Sequence, residues 1–145
     1  MKKVSVTREY NNNTIGWKDA FYNLNESMSK KELIKTSSGF FVSHNAERIQ
    51  QVKKVLDDLE CKVAHLYIGI DIHNPGFDMH VDTVDVWFWQ NKGISEWQFK
   101  NNDKHILYEG DLIYVPKGVY HKVNSIEARF GISMSEREND NQNGQ

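Results

Sequence analysis

The sequence has a single cysteine, Cys61, among its 145 residues, so no intrachain disulfide can form. Cys61 stands alone without a CxxC pattern, and we expect no redox role for it. A surplus of one charge is also lacking: 18 basic and 20 acidic residues give a net charge of −2, with no basic block that would attract phosphate backbones. We therefore expect no nucleic-acid partner.

Long apolar runs are equally scarce. No stretch approaches the ~20 apolar residues that cross a bilayer, and no basic start followed by an apolar run marks a secretory signal. These absences predict a cytoplasmic protein without a membrane partner. A chain of this length is expected to be one domain, 1–145, which buries roughly 68–70% of its unfolded surface.

The composition changes near residue 62, and the change indicates architecture rather than a domain boundary. Residues from about 14 to 60 show helical spacing, whereas those from about 62 to 135 are dense in β-branched and aromatic side chains. The last ten residues, 136–145, have no apolar side chain and are predicted to be a disordered tail.

Two helical segments are predicted in the first part. The first carries apolar residues at helical spacing, namely Trp17, Ala20, Phe21, Leu24 and Met28. Ser29 and Glu32 have the spacing of a capping box that would open a further short helix. Residues 45–60 form the clearest amphipathic pattern, with Asn45 as a suitable N-cap. We expect these helices to pack on the outside of a sheet.

The second part reads as at least six short strands separated by turn chemistry. The turns are Asn74-Pro75-Gly76, 90–93, 101–103, Glu109-Gly110-Asp111 and Pro116-Lys117-Gly118. Closely spaced strands of this kind are typical of a sandwich or barrel, and closure of a small barrel removes exposed edges. The predicted fold class is mainly β, and any edge that stays exposed would favour a homodimer.

Two segments carry the candidate chemistry. In the segment 76–82, His80 and Asp82 are two residues apart, so on a strand both side chains emerge on the same face. In the segment 110–121, an apolar strand enters a turn in which Pro116 presets φ and Gly118 permits positive φ. The chain then returns with His121 on the next strand.

Two imidazoles and one carboxylate form the facial triad that leaves one side of an octahedral metal open, most often for Fe(II). We therefore predict His80, Asp82 and His121 as ligands of one divalent ion and as the catalytic centre. A polar core cluster without metal is the alternative, but an ionised carboxylate buried in a small barrel costs several kcal/mol without a cation.

The order of these motifs resembles the JmjC-type cupins over residues 63–134. His80-Val81-Asp82, followed by 85–93 and Trp97, resembles the HxD block of that family. Residues 110–121 resemble its second block and also the second cupin motif. In that motif five residues separate a glycine from Pro-X-Gly, and two more residues separate Pro-X-Gly from a histidine. The resemblance implies a double-stranded β-helix (a jelly-roll barrel) with Fe(II) on the triad, and oxygenation that uses 2-oxoglutarate.

The sequence departs from that family at one position. The basic residue that commonly anchors 2-oxoglutarate is expected at Ser95, which has no charge. Other 2-oxoglutarate oxygenases place an arginine on the strand after the distal histidine, and Arg129 occupies that place here. We predict Arg129 as the anchor, with a hydroxyl of Tyr67 or Ser133 adding a hydrogen bond.

The remaining candidates are weaker. Lys92 and Lys122 are expected to face outward. Four other histidines lack a partner at ligand spacing and are interpreted as surface or packing residues: His44, His65, His73 and His105. The tryptophans Trp87, Trp89 and Trp97 are most simply core. Asp85 is expected to face away from Asp82 and to hold a turn or support the site by a hydrogen bond.

Two functions remain open. The first is an Fe(II) oxygenase, a hydroxylase that uses O₂ and 2-oxoglutarate on a small molecule or a protein side chain. The second is a metal-binding cupin without oxygenase activity, which binds a small ligand or carries out lyase or isomerase chemistry. The three-ligand set favours the first, because many cupins without oxygenase activity have further ligands. A structural or interaction module is a third, weaker reading.

Overall fold

The computed structural model describes residues 2–32, 34–37, 39–72 and 78–140. Its helices are α1 (Trp17–Ser29) and α2 (Gln50–Asp58), with a 3-10 turn at Ala46–Arg48. The strands are β1 (Ser5–Thr7), β2 (Ile34–Ser37), β3 (Phe40–Ser43), β4 (Val63–Gly69), β5 (Val86–Lys92), β6 (Ser95–Phe99), β7 (Lys104–Leu107), β8 (Leu112–Val115), β9 (His121–Ser125) and β10 (Arg129–Ser135). Within the described part, no helix has the length and apolarity to cross a membrane.

The strands form two antiparallel sheets. The larger has the order β1-β8-β5-β10-β4-β3-β2 and the smaller has the order β7-β6-β9. Strands β4 and β10 pair over their whole length, from Val63 opposite Ser135 to Gly69 opposite Arg129. This is the jelly-roll architecture of a cupin, and the prediction of at least six strands after residue 62 is confirmed.

The large sheet has an apolar layer on each face. On β4, Ala64, Leu66 and Ile68 pack with residues of α1 and α2 in one cluster. Tyr67 points to the other face and packs with Phe88 of β5 and aromatic residues of the small sheet. Because side chains alternate along a strand, the helices cover the outside and the second face lines the barrel interior. The predicted placement of the helices is therefore confirmed.

The first part of the chain differs from its prediction in three places. It contributes strands β1, β2 and β3 to the large sheet, in addition to helices. The predicted capping box is wrong, because Ser29 ends α1 and Glu32 instead forms an ion pair with Arg48 at 2.7 Å. Asn45 has a left-handed φ of 55° and precedes only the 3-10 turn, so the regular helix begins later, at Gln50.

The C-terminal segment 136–140, the first half of the predicted tail, makes hydrogen bonds and an ion pair with the barrel. Glu138 lies 3.1 Å from His65, and Asn139 and Asp140 are both hydrogen-bonded to Thr83. A polar sequence can therefore be held by hydrogen bonds alone. Residues 141–145, the predicted turn 74–76 with the start of the motif 76–82, and His73 lie outside the described residues.

Gly93, in the turn between β5 and β6, is a position at which we expect replacement of glycine to lower stability strongly. Gly93 has a φ of +73°, and a Cβ built there would lie 2.7 Å from the Arg129 Cα and closer still to the Ala128 carbonyl oxygen. We expect Gly93→Ala to lower the free energy of unfolding by about 2–4 kcal/mol, from backbone strain and overpacking together. Urea denaturation measures this change.

Gly118 provides a matched control for that prediction. Its φ is +80°, but a Cβ there would meet no atom within 4 Å. Gly118→Ala should therefore cost only the conformational part, about 1–2 kcal/mol. Equal losses of stability in the two variants would show that the close approach of Gly93 to β10 has no energetic consequence.

Candidate metal centre

The candidate ligands meet at one end of the barrel because His80 and His121 form an antiparallel β-bridge. Each backbone N–H donates to the carbonyl oxygen of the other, at 3.0 and 2.9 Å. Asp82 lies two residues beyond His80, and its carbonyl oxygen accepts a hydrogen bond from the Gly118 N–H at 3.1 Å. The turn before β9 therefore holds both segments in register, as the motif spacing predicts.

The three side chains converge on one small volume. Their ligand atoms lie within 4.8 Å of one another. Asp82 Oδ1 is 3.6 Å from His80 Nε2, and Asp82 Oδ2 is 3.4 Å from His121 Nε2. Asp82 and His121 are buried, and His80 is nearly so. The structure thus brings together all three residues that the sequence predicts as ligands.

Hydrogen bonds to the backbone fix the tautomer of both rings. Nδ1 of His80 lies 2.7 Å from the carbonyl oxygen of Asp78, and Nδ1 of His121 lies 2.9 Å from that of Val119. A carbonyl oxygen can only accept, so each Nδ1 carries the proton and each Nε2 turns a lone pair toward Asp82. A hydrogen bond from the other ring nitrogen to a backbone carbonyl oxygen is characteristic of histidines that bind a metal.

The charge balance at this point fits a cation. Burial lowers the pKa of His121, so its ring is neutral near pH 7. His121 Nε2 is buried and has no hydrogen-bond partner among the described residues. Two imidazole lone pairs and a carboxylate therefore face each other in a buried site. A bound divalent ion would stabilise this arrangement of donor groups.

Asn139 completes the surroundings of Asp82. Its Nδ2 donates to Asp82 Oδ1 at 2.7 Å, and its Oδ1 accepts from the backbone and side chain of Thr83 at 3.0 and 2.9 Å. This contact leaves Asp82 Oδ2 directed at His121 and orients the carboxylate. Sequence reasoning missed Asn139, because no local pattern links a polar C-terminal segment to residue 82.

Aromatic rings form the wall beside the candidate metal. The Trp97 ring stacks on His121 with centroids 5.8 Å apart, and Phe99 lies at 6.3 Å. Trp97 and Trp89 are fully buried, whereas Trp87 is partly exposed and packs on the helix side. Trp97 is therefore both core and site wall, which keeps water away from one side of His121.

Arg129 lies deep in the barrel interior. It is 1% exposed, its Nε donates to Ser125 Oγ at 3.0 Å, and its guanidinium lies 5.7 Å from the Phe40 ring centroid. Nη1 has no hydrogen-bond partner, and no carboxylate lies within ion-pair distance, among the described residues. Burial lowers the pKa of Arg129 to about 10, so it remains a buried cation, with no counter-charge in the part of the chain that the structure describes.

Arg129 lies close to position 95, where the family resemblance places the basic residue that anchors 2-oxoglutarate. Ser95 is buried, donates to Gln90 Oε1 at 2.8 Å and accepts from Trp97 Nε1 at 3.1 Å. Ser95 of β6 pairs in register with Ser125 of β9, whose Oγ is the partner of Arg129. The guanidinium thus reaches, from the opposite sheet, the region in which the basic residue of the family is expected.

The two remaining candidates in the cavity, Tyr67 and Ser133, differ in how near they lie to Arg129. Tyr67 is buried, and this burial together with the charge of Asp82 raises the pKa of its hydroxyl, while Arg129 opposes the rise. Tyr67 is therefore near both Asp82 and Arg129. Ser133 is also buried, but it is opposite His65 on β4, further from Arg129 along β10.

The lysines and Asp85 lie away from the cavity. Lys92 pairs with Glu109 at the surface. Lys122 alternates with the buried His121 and Val123 of β9 and faces outward. Asp85 accepts from the Lys117 backbone N–H at 2.9 Å and from Lys2 at 2.7 Å, so its predicted turn contact is confirmed.

Two of the histidines interpreted as surface or packing residues are neighbours. The rings of His44 and His65 lie 4.0 Å apart by their centroids, and Glu138 lies beside His65. The packing role predicted for them agrees with this contact, but their sequence spacing gives no sign of it, because pairing of β3 with β4 in the folded sheet brings them together. His105 packs on Phe99, in agreement with its predicted packing role.

The fold is a double-stranded β-helix, the fold that the sequence resemblance to the JmjC-type cupins implies, and it carries a three-residue candidate metal centre. No family model matches the sequence, and no curated protein is significantly similar to it. Solved structures of the ribosomal oxygenase YcfD from Escherichia coli are similar in fold. One matches with a TM-score of 0.69 and 17% identity, over 97% of this chain and 49% of YcfD.

Two further structures extend this comparison. YcfD in complex with cobalt and 2-oxoglutarate matches with a TM-score of 0.71 and 14% identity, over 97% of this chain and 50% of YcfD. Salicylate 1,2-dioxygenase from Pseudoaminobacter salicylatoxidans matches with a TM-score of 0.56 and 12% identity, over 88% of this chain and 37% of that one. The chain therefore spans about half the length of YcfD, and at these identities the likeness concerns the fold.

Proposed function

We propose that this protein is a metal-dependent oxygenase that holds Fe(II) on His80, Asp82 and His121 and uses 2-oxoglutarate as co-substrate. The observation that carries the proposal is the pairing of a three-ligand centre with a buried, uncompensated arginine inside one small barrel. Bound Fe(II) would supply the O₂ chemistry, and the facial arrangement leaves open positions for co-substrate and O₂.

Arg129 is the residue that suits the far carboxylate of 2-oxoglutarate. A planar guanidinium binds a carboxylate in a bidentate manner, and Nη1 lacks a partner among the described residues. A bound carboxylate would also compensate the buried charge, which is costly as it stands. Tyr67 is near both Asp82 and Arg129, and its neutral hydroxyl would donate a hydrogen bond to the same carboxylate.

The surrounding residues set the conditions for turnover. Trp97 and Phe99 exclude water from the His121 side, and Asn139 orients Asp82. In the overall reaction, 2-oxoglutarate loses CO₂ and becomes succinate, one oxygen atom of O₂ enters succinate, and the other enters the substrate. The substrate class that we propose is a small molecule or a protein side chain, and YcfD, a ribosomal oxygenase, supports the oxygenase class.

Turnover without substrate tests this proposal directly. We expect protein supplied with Fe(II), ascorbate and O₂ to convert 2-oxoglutarate slowly to succinate, because an assembled centre activates O₂ even when no substrate is bound. Succinate is measured by mass spectrometry. His121→Ala, which removes a ligand, should abolish the conversion, and His105→Ala, which alters a histidine outside the centre, should retain it.

The contrary result also has a defined meaning. If no succinate forms and anaerobic calorimetry detects no binding of 2-oxoglutarate, the oxygenase proposal is wrong. The same ligands would then serve the other function, a metal-binding cupin that polarises a small ligand in lyase or isomerase chemistry.

A further inference from the structure

We infer that His44, His65 and Glu138 form a second divalent cation site, suited to Zn²⁺, at the barrel end that carries the first centre. Each residue offers one ligand atom, and these atoms lie within 4.8 Å of one another. Two imidazoles and a carboxylate are donors that Zn²⁺ accepts, with water in the fourth position. The inference does not depend on the proposed oxygenase function.

The distances require only small shifts to close around an ion. Zn²⁺ bonds to nitrogen and oxygen are about 2.0–2.2 Å, so tetrahedral ligand atoms lie about 3.3 Å apart. His65 Nε2 and Glu138 Oε2 are already 3.1 Å apart, and the centroids of the His44 and His65 rings lie 4.0 Å apart, with the ring planes tilted by 37°.

The site is held by a rigid polar network. The carbonyl oxygen of His44 accepts hydrogen bonds from Asn23 Nδ2 at 3.2 Å, Ser27 Oγ at 3.1 Å and Arg48 Nη2 at 3.0 Å. Asn23 and Ser27 are fully buried in α1, so this helix holds the backbone of His44 in place. Such preorganisation is expected of a binding residue and is not needed for a solvated surface histidine.

The electrostatics of the pair also suit a cation. Each imidazole can direct one lone pair at an ion, and the Glu138 carboxylate supplies negative charge. His65 is mostly buried, with a side chain 12% exposed, whereas Glu138 is 66% exposed and gives access from solvent.

The position of Glu138 gives this site a structural consequence. The next residue, Asn139, donates to Asp82 of the first centre. An ion on Glu138 would hold the segment 136–140 in place and would thereby stabilise the contact that orients Asp82. The two centres would be linked through adjacent residues of one short segment.

Metal stoichiometry distinguishes the two sites. After equilibrium dialysis against Zn²⁺, elemental analysis of the wild type should give about two ions per chain. His44→Gln and Glu138→Gln should each give about one, and the matched control His105→Gln should give about two. Glu138 is exposed, so its variant cannot lose metal through unfolding of the core.

A second background isolates the new site from the first. The double variant His80→Ala, Asp82→Ala should retain about one Zn²⁺ per chain, and adding His44→Gln should remove it. The inference is wrong if this double variant holds no Zn²⁺, or if Glu138→Gln and His44→Gln both bind as much as the wild type. Neither outcome depends on succinate formation, so failure here is separate from failure of the oxygenase proposal.

Discussion

The double variant His80→Ala, Asp82→Ala is expected to carry one divalent ion per chain fewer than the wild type when both are loaded with Fe(II) under argon. The two residues supply adjacent positions of the triad, and removal of residues that merely support metal ligands already costs about 10–100-fold in affinity. Loss of two direct ligands should weaken binding by roughly 100-fold or more. Elemental analysis after desalting measures the difference.

The control for this result is His105→Ala. His105 packs on Phe99 and belongs to neither cluster of candidate ligands. Its removal should leave the metal content unchanged, which separates ligand loss from a general loss of histidine. Full occupancy in the double variant would contradict the assignment of His80 and Asp82, whatever the activity of the protein.

Arg129→Met is expected to weaken 2-oxoglutarate binding by at least tenfold, which is about 1.4 kcal/mol. Methionine keeps much of the apolar volume but removes the only charge that we assign to the far carboxylate. Metal content should stay unchanged, because Arg129 is not among the ligands. Anaerobic calorimetry with protein loaded with cobalt(II) measures the affinity without turnover.

Stability separates this binding role from a structural one. Arg129 is buried with no carboxylate partner among the described residues, so its replacement by an apolar side chain should leave the free energy of unfolding unchanged or raise it. A purely structural arginine would show the opposite, a less stable protein with normal affinity. Lys122→Met, on the outward face of β9, is the matched control and should bind 2-oxoglutarate normally.

The double variant Ser95→Arg, Arg129→Ser provides a sharper form of the test. Ser95 is paired with Ser125, the partner of Arg129, so an arginine at 95 would approach the same region from the small sheet. Partial recovery of affinity relative to Arg129→Met would show that the position of the cation matters more than the strand that carries it. Unchanged affinity in Arg129→Met would remove Arg129 from the site.

The candidate metal ligands could be predicted from sequence because their geometry is local. A spacing of two residues places His80 and Asp82 on one face of an extended chain, and the turn before His121 is defined by Pro116 and Gly118. The burial of Arg129 could not be predicted in the same way, because Arg129 lies on the opposite face of β10 from the apolar Phe130, Ile132 and Met134, and only closure of the barrel buries that face. Strand type and side-chain parity need no knowledge of distant partners.

Other features depended on contacts between segments far apart in the chain. Strands β1 to β3 are short, and they are stabilised by pairing with β8 and β4 rather than by a pattern of their own. The capping signal at Ser29 was outweighed in the same way, because Glu32 pairs with Arg48. Tertiary pairing overrides a local signal that is worth only about 1 kcal/mol.

The amino-acid sequence by itself determined the β-rich second part, the spacing of His80, Asp82 and His121, and the absence of a basic residue at position 95. Only the tertiary structure decided that His44 meets His65 and Glu138, and that Asn139 reaches Asp82. The physical reason is that alternation fixes the face of a side chain within one strand, whereas its neighbours across the sheet depend on strand order and register.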